Sequence, residues 1–272
     1  MRKTWLSDVI GTEKAAIGVV HFKAFPGDPL YDDEAGMEGI VEAARKDLIA
    51  LQNGGIDAVL FSNEFSFPYE PNPSTEVIAG MAYVIGALKK DITVPYGANV
   101  ISNTDASIAL NAVIDGKLMR GTFAGAFSGN MGITNAHPGQ FLRHRHNLRL
   151  DDKLKMVHYV IPESSREIGG QDKHVIVNSS LFGNLPDAIG ICGANAGKKI
   201  DLEFMKEIRE QSPETVLFAT TGVNVDTIEE IYSVADAAFI ATHLKVDGVF
   251  ENAVDEARVR RFMDKLKAFR NQ

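Results

Sequence analysis

Apolar runs alternate with amphipathic segments along most of this chain. Short runs such as residues 15–20, which end in polar and turn residues, are typical of strands buried on both faces. Between them, segments such as 37–53 carry apolar residues at helical spacing. Strands that alternate with helices predict a parallel sheet. We therefore expect polar residues at the carboxyl ends of the strands to meet at one edge, where such sheets bind their ligands.

Eight strand–helix units can be placed along the chain. The predicted strands are 15–21, 57–61, 94–100, 117–123, 154–160, 187–192, 215–219 and 236–241. The segment 171–184 is rich in β-branched residues and could be a ninth strand, but we assign it to a helix because that keeps the alternation intact. Eight units in about 250 residues predict an α/β fold, the (β/α)8 TIM barrel. We expect a single domain over residues 1–272, in which residues 1–14 are a polar lead-in that closes the bottom of the barrel.

One stretch does not fit this alternation. Residues 124–139, AGAFSGNMGITNAHPG, are rich in glycine and follow the fourth predicted strand. We predict a loop here. Because loops of this length are uncommon inside compact domains, and are then usually functional or mobile, the stretch is a candidate for part of the site.

Composition narrows the classes of function. The chain has 272 residues, a net charge of −8 and one cysteine. An acidic domain is poorly suited to binding nucleic acid or an anionic membrane through its overall field, so we expect neither as a partner. A single cysteine can form no internal disulfide, and no apolar run approaches a membrane-spanning length. We therefore expect a cytoplasmic protein.

Two glutamates and a histidine are candidates for acid/base chemistry. Glu64 follows the second predicted strand and Glu163 follows the fifth, so both could face one cavity. A carboxylate in a water-poor barrel mouth has its pKa raised toward neutrality, which suits a general base. His21, at the tip of the first strand, is an alternative base or hydrogen-bond donor. It could equally be a satisfied core residue.

Three further polar residues end neighbouring strands. Asn63 and Asn99 could hydrogen-bond a substrate hydroxyl or carbonyl group. Arg120 could hold a carboxylate or phosphate with two parallel hydrogen bonds, although a structural ion pair inside the barrel is about equally consistent with its position. We count these three residues among the catalytic candidates.

The loops after the seventh and eighth predicted strands are candidates for binding an anion. In many barrels these loops hold a phosphate through backbone N–H groups and a helix N-terminus. The candidate residues are Gly222, Val223, Thr242, His243 and Lys245. Lys245 would act as a point charge on the phosphate. The alternative is that Gly222 serves a tight turn and Lys245 is solvated.

The sequence gives no support for a metal or a cofactor. His144 and His146 flank an arginine, and neither a helical His-x3-His pattern nor a cluster of carboxylates occurs. Cys192 ends the sixth predicted strand, where a small buried hydrophobe is its expected role. We therefore predict neither a metal ion nor a cofactor.

Several segments of the chain resemble one known family, BtpA/SgcQ. They are IGVVHFKAFPGDP at 17–29, GGIDAVLFSNEFSFPY at 54–69, VPYGANVISNTDASIAL at 94–110, LPDAIGICGANAG at 185–197 and FIATHLKVDGVFENAVDEARVRRF at 239–262. The resemblance implies a barrel related to phosphate-binding enzymes. One family member is named as a factor for photosystem I accumulation. Others, from sugar-utilisation gene clusters, have been called nucleosidases or left unassigned.

The chain departs from the pattern that this resemblance leads us to expect, so it resembles a divergent member. Arg-Gly-Thr at 120–122 stands in place of Arg-Val-Asn, and Ala-Thr at 241–242 in place of Gly-Thr. Tyr159 stands in place of an aspartate, and Glu-Ser at 163–164 in place of Lys-His. Thr-Thr-Gly at 220–222 replaces Gly-Ser-Gly. If the residues around the fifth strand act in relatives, their chemistry is lost or changed here.

Two hypotheses follow for function. The first is an isomerase, lyase or nucleosidase that acts on a small phosphorylated metabolite, such as a sugar phosphate or a nucleoside derivative. The second is a non-catalytic assembly or stability factor that keeps a vestigial anion pocket, and the altered residues around the fourth and fifth strands favour it slightly. Because barrels of this kind often associate, we also expect a homo-oligomer.

Overall fold

A computed structural model describes residues 2–193 and 199–271 of the chain. The strands in these residues are β1 (Ala15–His21), β2 (Ala58–Ser62), β3 (Tyr96–Asn99), β4 (Leu118–Gly121), β5 (Gly125–Gly129), β6 (Gly132–Ala136), β7 (Lys155–Tyr159), β8 (Ser165–Glu167), β9 (Ala188–Ile191), β10 (Leu217–Ala219) and β11 (Ala237–Ile240). The helices are α1 (Trp5–Val9), α2 (Gly36–Asn53), α3 (Thr75–Leu88), α4 (Thr104–Ile114), α5 (Pro138–Asn147), α6 (Lys173–Gly183), α7 (Leu202–Gln211), α8 (Ile228–Tyr232) and α9 (Glu256–Arg270).

Eight of the described strands form one parallel sheet. Its order is β3-β2-β1-β11-β10-β9-β7-β4, so each strand lies beside its neighbour in the barrel sequence. Helices follow these strands and pack their apolar faces against the outside of the sheet. The (β/α)8 barrel predicted from the sequence is therefore confirmed.

The barrel closes between the two end strands of the sheet, β3 and β4. The N–H group of Lys117 donates to the carbonyl oxygen of Tyr96 at 2.7 Å. Gly97 allows this approach, since a Cβ atom at that position would lie 1.8 Å from the carbonyl oxygen of Leu118. A larger residue at position 97 would push these two strands apart.

The first helix covers the amino-terminal end of the barrel. Leu6 and Ile10 are buried against residues that fill the barrel interior, among them Ile17 and Phe218. The indole N–H of Trp5 donates to the carbonyl oxygen of Asp187 at 2.9 Å. Because this end is filled and covered, the opening of the barrel lies at the carboxyl ends of the strands.

Residues 171–184 form a helix rather than a ninth strand. α6 begins after Asp172, whose carboxylate accepts the N–H of His174 at 2.8 Å. Val177 and Ser180, which are three residues apart, face inward. The β-branched residues are thus accommodated in a helix by packing outside a complete barrel, which overrides their preference for strands.

The glycine-rich stretch 124–139 is more ordered than the predicted loop. It contains the antiparallel hairpin of β5 and β6, and β8 pairs with the other edge of β5. Phe127 in β5 is almost fully buried. The prediction of a plain loop was wrong because the third strand comes from residues 165–167, a distant partner that the local pattern does not reveal.

None of the helices in the described part of the chain is both long and apolar enough to span a bilayer.

Candidate active site at the barrel mouth

The carboxyl ends of β2, β3, β4 and β7 surround a cavity of about 480 Å³, which we call the mouth cavity. Four of the six residues predicted for catalysis line it: Glu64, Asn99, Arg120 and Glu163. The hairpin of β5 and β6 forms part of the rim through Asn130, Met131 and Thr134. The mouth cavity thus combines two carboxyl groups and a guanidinium group with several amides and hydroxyls.

Arg120 and Glu64 form a largely buried ion pair at one side of the mouth cavity. Nη2 of Arg120 lies 3.3 Å from Oε1 of Glu64, and each side chain is 14% exposed. The hydroxyl group of Tyr69 donates to the Glu64 carbonyl oxygen at 2.9 Å and lies 3.4 Å from its Oε2. Burial raises the pKa of Glu64, but the electrostatic interaction with His21, the charge of Arg120 and the Tyr69 hydrogen bond together bring this pKa below its ordinary value. Glu64 is therefore ionised at neutral pH.

Glu163 lies in the same cavity but in a different electrostatic setting. Its side chain is half-buried and forms no ion pair with another described residue. Burial raises the pKa of Glu163, and the charge of Glu64 adds to this effect while Arg120 opposes it. Two carboxyl groups in one cavity are thus shifted in opposite directions. In such a pair, one group holds a fixed charge and the other can exchange a proton closer to neutral pH.

Two neutral hydrogen-bonding groups lie beside these charges. Burial raises the pKa of Tyr159 well above its ordinary value, so its hydroxyl keeps its proton. Burial raises the pKa of Cys192 to about 12, and the Thr220 hydroxyl donates to its Sγ atom at 3.1 Å. Since the thiolate is the reactive form of cysteine, Cys192 is not a nucleophile near neutral pH.

The two asparagines predicted for the site differ in their surroundings. Asn99 ends β3 and lines the mouth cavity. Asn63 is 1% exposed, and its Oδ1 accepts the N–H of Ile101 at 2.8 Å. Asn63 therefore ties the loop after β2 to the loop after β3 and does not line the mouth cavity.

His21 lies outside the lining of the mouth cavity. It is 5% exposed and packs against Phe250 and Phe65, with ring centroids 5.0 and 6.3 Å away. Burial lowers the pKa of His21 to about 3, so its ring is neutral near pH 7 and is a weak base. It lines a second cavity, of about 270 Å³, which also touches Lys23, Asp47 and Lys245. We call this second space the lateral cavity.

Four of the five residues predicted to bind an anion lie together on two neighbouring loops. Gly222 and Val223 follow β10, whereas Thr242 and His243 follow β11. The N–H of Val225 donates to Nε2 of His243 at 3.3 Å, which joins the two loops. Gly222 has a φ of +69°, a conformation that glycine adopts readily. Burial lowers the pKa of His243, so this ring is neutral and offers no positive charge to an anion.

Lys245, the fifth predicted anion ligand, is buried elsewhere. It lies between two short 3₁₀ turns, Thr242–Leu244 and Val246–Gly248, and is 1% exposed. Its ammonium group donates to the carbonyl oxygen of Phe250 and lies 5.2 Å from the centre of that ring. Burial lowers the pKa of Lys245 to about 8. The structure thus places Lys245 in the lateral cavity, beside His21.

Sequence analysis missed several residues that line the two cavities. Tyr69 belongs to an aromatic loop directly after Glu64, and that position was a usable signal. Tyr159 was noted only as a departure from the family pattern. Lys46 and Asp47 lie inside α2, where no local pattern shows which helix positions face the barrel mouth.

Known proteins resemble this chain over nearly its whole length. The family model of the BtpA family matches residues 12–268. The sgc region protein SgcQ of Escherichia coli is 42% identical over 98% of this chain and 99% of its own length. The photosystem I biogenesis protein BtpA of Synechocystis sp. is 24% identical over 94% of this chain and 88% of its own length.

A solved structure shares the barrel without close sequence similarity. Tryptophan synthase from M. tuberculosis superposes with a TM-score of 0.60 at 13% identity, covering 98% of this chain and 99% of the other. This likeness concerns the fold alone. The full-length similarity to SgcQ and the match over residues 12–268 are more specific, and they show that the chain belongs to the BtpA family.

Proposed function

We propose that this protein is an enzyme that uses Glu163 as a general acid or base on a small phosphorylated metabolite bound in the mouth cavity. The observation that carries the proposal is the pair of carboxyl groups beside Arg120, one with a lowered and one with a raised pKa. Environments that separate two carboxyl pKa values in this way assign one group to charge stabilisation and the other to proton transfer.

The surrounding groups define what Glu163 could do. Its raised pKa lets it carry a proton closer to neutral pH, so it can protonate a leaving group or take a proton from carbon. Arg120, held by Glu64, can stabilise negative charge that develops on a substrate oxygen. The Tyr159 hydroxyl and the Asn99 amide can hold substrate hydroxyls in place. These roles fit an isomerase, a lyase or an enzyme that cleaves an N-glycosidic bond.

The lining of the mouth cavity supports a polyhydroxylated substrate. Amide and hydroxyl side chains are abundant in it: Asn99, Asn103, Thr104, Thr122, Asn130, Thr134 and Ser165. A volume of about 480 Å³ suits a small molecule such as a sugar or nucleoside phosphate. Gly222, Val223, Thr242 and His243, on the loops after β10 and β11, do not line the mouth cavity. We propose that the phosphate group of the substrate extends beyond this lining to the backbone of these loops.

A second candidate function is supported by the name of one relative. The Synechocystis sp. protein is called a photosystem I biogenesis protein. On that precedent, this chain would be a non-catalytic assembly factor, and the mouth cavity would have no turnover. The same experiment separates the two functions.

The test is a search for turnover with a matched pair of variants. The protein is incubated in D2O with a panel of sugar phosphates, nucleosides and nucleoside monophosphates, and ¹H and ³¹P NMR report solvent exchange or product. We expect the wild type to convert one class of compound and Glu163→Gln to be slower by roughly a hundredfold or more. Glu210→Gln, on the exposed face of α7, is the control and should match the wild type.

Two outcomes would overturn this function. Equal rates for Glu163→Gln and the wild type would remove Glu163 from the chemistry. If NMR detects no conversion of any compound, and no compound raises the melting temperature of the protein in a thermal-shift assay, the non-catalytic function is favoured instead.

A further inference from the structure

The lateral cavity gathers positive charge that the proposed chemistry does not use. Lys23, Lys46 and Lys245 all line this space of about 270 Å³. None of the three forms an ion pair with another residue in the described part of the chain, although six other lysines do. Three lysines thus line one concave site without an ion-pair partner. The charges of Asp47, Glu64 and Glu251 reach Lys245, but none of these carboxylates forms an ion pair with it.

The two acidic residues in the lining do not neutralise this charge. Glu42 pairs with Arg45 at 3.0 Å, so its charge is already balanced. Asp47 is 7% exposed, and its Oδ1 accepts the N–H of Val254 at 2.8 Å. Burial raises the pKa of Asp47. Counting Asp47 as ionised, the unpaired lysines still outnumber the unpaired carboxylate by three to one.

A buried ring nitrogen also lacks a partner at this site. His21 is buried, with 5% of its surface exposed, and yet its Nδ1 forms no hydrogen bond with the described residues. Buried polar atoms in folded proteins nearly always have a partner, so an isolated one calls for a ligand or a bound water. His21 lines the lateral cavity, where an oxygen atom of a ligand could accept a hydrogen bond from the N–H group at this position.

The lateral cavity is separate from the mouth cavity. Phe250 lines the mouth cavity and Phe65 lines the lateral cavity, and their ring centroids are 5.2 Å apart. The two cavities are therefore lined by different rings of one aromatic cluster. Glu163 lines the mouth cavity and not the lateral cavity.

We propose that the lateral cavity binds the phosphate group of a small molecule through Lys23, Lys46 and Lys245, with His21 donating from Nδ1. A phosphate carries up to two negative charges at neutral pH and accepts several hydrogen bonds, so it would offset the excess of ammonium groups. The site lies apart from the cradle that we assign to the loops after β10 and β11. It goes beyond the proposed function, because binding here requires no turnover.

The test measures binding of inorganic phosphate by isothermal titration calorimetry at pH 7. We expect Lys46→Gln and Lys23→Gln each to weaken phosphate binding by roughly threefold to tenfold, and the double variant to weaken it further. Lys90 is an exposed lysine two residues beyond the end of α3, and Lys90→Gln is the control, which should bind phosphate as the wild type does. Lys245→Met should abolish binding. Should that variant fail to fold, the two exposed lysines still decide the question.

Further arms locate the anion and its source. Phosphate binding that is insensitive to Lys23→Gln and Lys46→Gln but lost in Gly222→Ala would overturn the lateral site and leave the proposed function standing. Ribose 5-phosphate distinguishes two ligands that are both consistent with the lateral site, a phosphate group on a larger molecule and a free phosphate. If it binds more tightly than phosphate and Glu163→Gln removes that advantage, one molecule spans both cavities. If it binds no more tightly than phosphate, the lateral cavity takes a separate phosphate.

Discussion

The two ends of the barrel treat charge in opposite ways. At the amino-terminal end, three aspartates just before strands repeat one arrangement: Asp57 with Arg270, Asp187 with Arg145, and Asp236 with Arg209. Each aspartate also accepts the N–H of a residue on the neighbouring strand, at distances of 2.7 to 2.9 Å. An arginine from a helix thus locks each of these strand starts to the outer layer.

At the carboxyl-terminal end, charged and polar groups are left incompletely paired. Ser62 Oγ and His21 Nδ1 have no hydrogen-bond partner among the described residues, and Glu163 has no ion-pair partner there. At the amino-terminal end Nε of Arg145 also lacks a partner, but Nη1 of the same side chain pairs with Asp187. The contrast indicates that the amino-terminal end stabilises the fold and that the carboxyl-terminal end leaves polar groups available to a ligand. It agrees with the general division of barrels into a stabilising bottom and a functional top.

The largest effect on folding is expected at the amino-terminal end. Asp236→Ala should lower the free energy of unfolding by about 3 kcal/mol, because it leaves Arg209 and Arg2 without their buried partner. Urea denaturation measures this change. The matched control is Glu214→Ala, whose side chain is 93% exposed and lies 3.6 Å from Arg2. It should change stability by no more than about 0.5 kcal/mol. Equal effects for both variants would remove the contrast between the two ends.

Removing the charge of Glu163 at the mouth cavity should stabilise the fold at higher pH, whereas removing Asp236 should destabilise it. Glu163 has a raised pKa in the folded state, so its contribution to stability is fully present below about pH 4.5 and is lost as the pH rises through the folded value. The stability of Glu163→Gln relative to the wild type should therefore increase with pH over this window. Thermal unfolding at a series of pH values provides the measurement. A relative stability that falls with pH would show that Glu163 is stabilised as a carboxylate.

The buried lysine gives a smaller effect at alkaline pH. Burial lowers the pKa of Lys245 from 10.5 to about 8, so the unfolded chain binds more protons between these two values. The wild type should therefore gain stability relative to Lys245→Met as the pH rises from about 8 to about 10.5. Lys90→Gln, compared in the same way, should show no such dependence. If the stability difference between the wild type and Lys245→Met does not change with pH, the ammonium group of Lys245 is exposed to water.

The smallest signal is expected from His21. With a pKa of about 3, its imidazole stays neutral across the physiological range. The ring proton resonances of His21, assigned by their loss in His21→Asn, should keep constant chemical shifts between pH 5 and pH 8. A titration within that range would mean that water reaches the ring.

Local patterns were sufficient to predict most of the barrel. Buried strands and helix caps leave strong local signals, and the side chains of Ser74 and Asn103 cap α3 and α4. The hairpin at 124–139 could not be predicted in this way, because its third strand comes from a distant segment. The glycines of this segment are typical of a loop, but pairing of β5 with β8 at residues 165–167 stabilises it as a strand.

The candidate site was only partly predictable for a related reason. The barrel geometry brings strand ends together, so Glu64, Asn99, Arg120 and Glu163 line one cavity as expected. Lys245 follows a strand end too, but the turns on both sides of it carry its ammonium group into the lateral cavity. Where a side chain leaves the regular strand, its direction depends on tertiary packing, which the sequence pattern does not contain.

The separation of the two carboxyl pKa values at the mouth is the central claim, and it can be measured directly. Carboxyl ¹³C NMR of protein labelled at glutamate, with Glu64→Gln and Glu163→Gln for assignment, follows each group through a pH titration. The structure predicts that Glu163 titrates above 4.5 and Glu64 below it. Glu163 titrating at or below Glu64 would contradict the account.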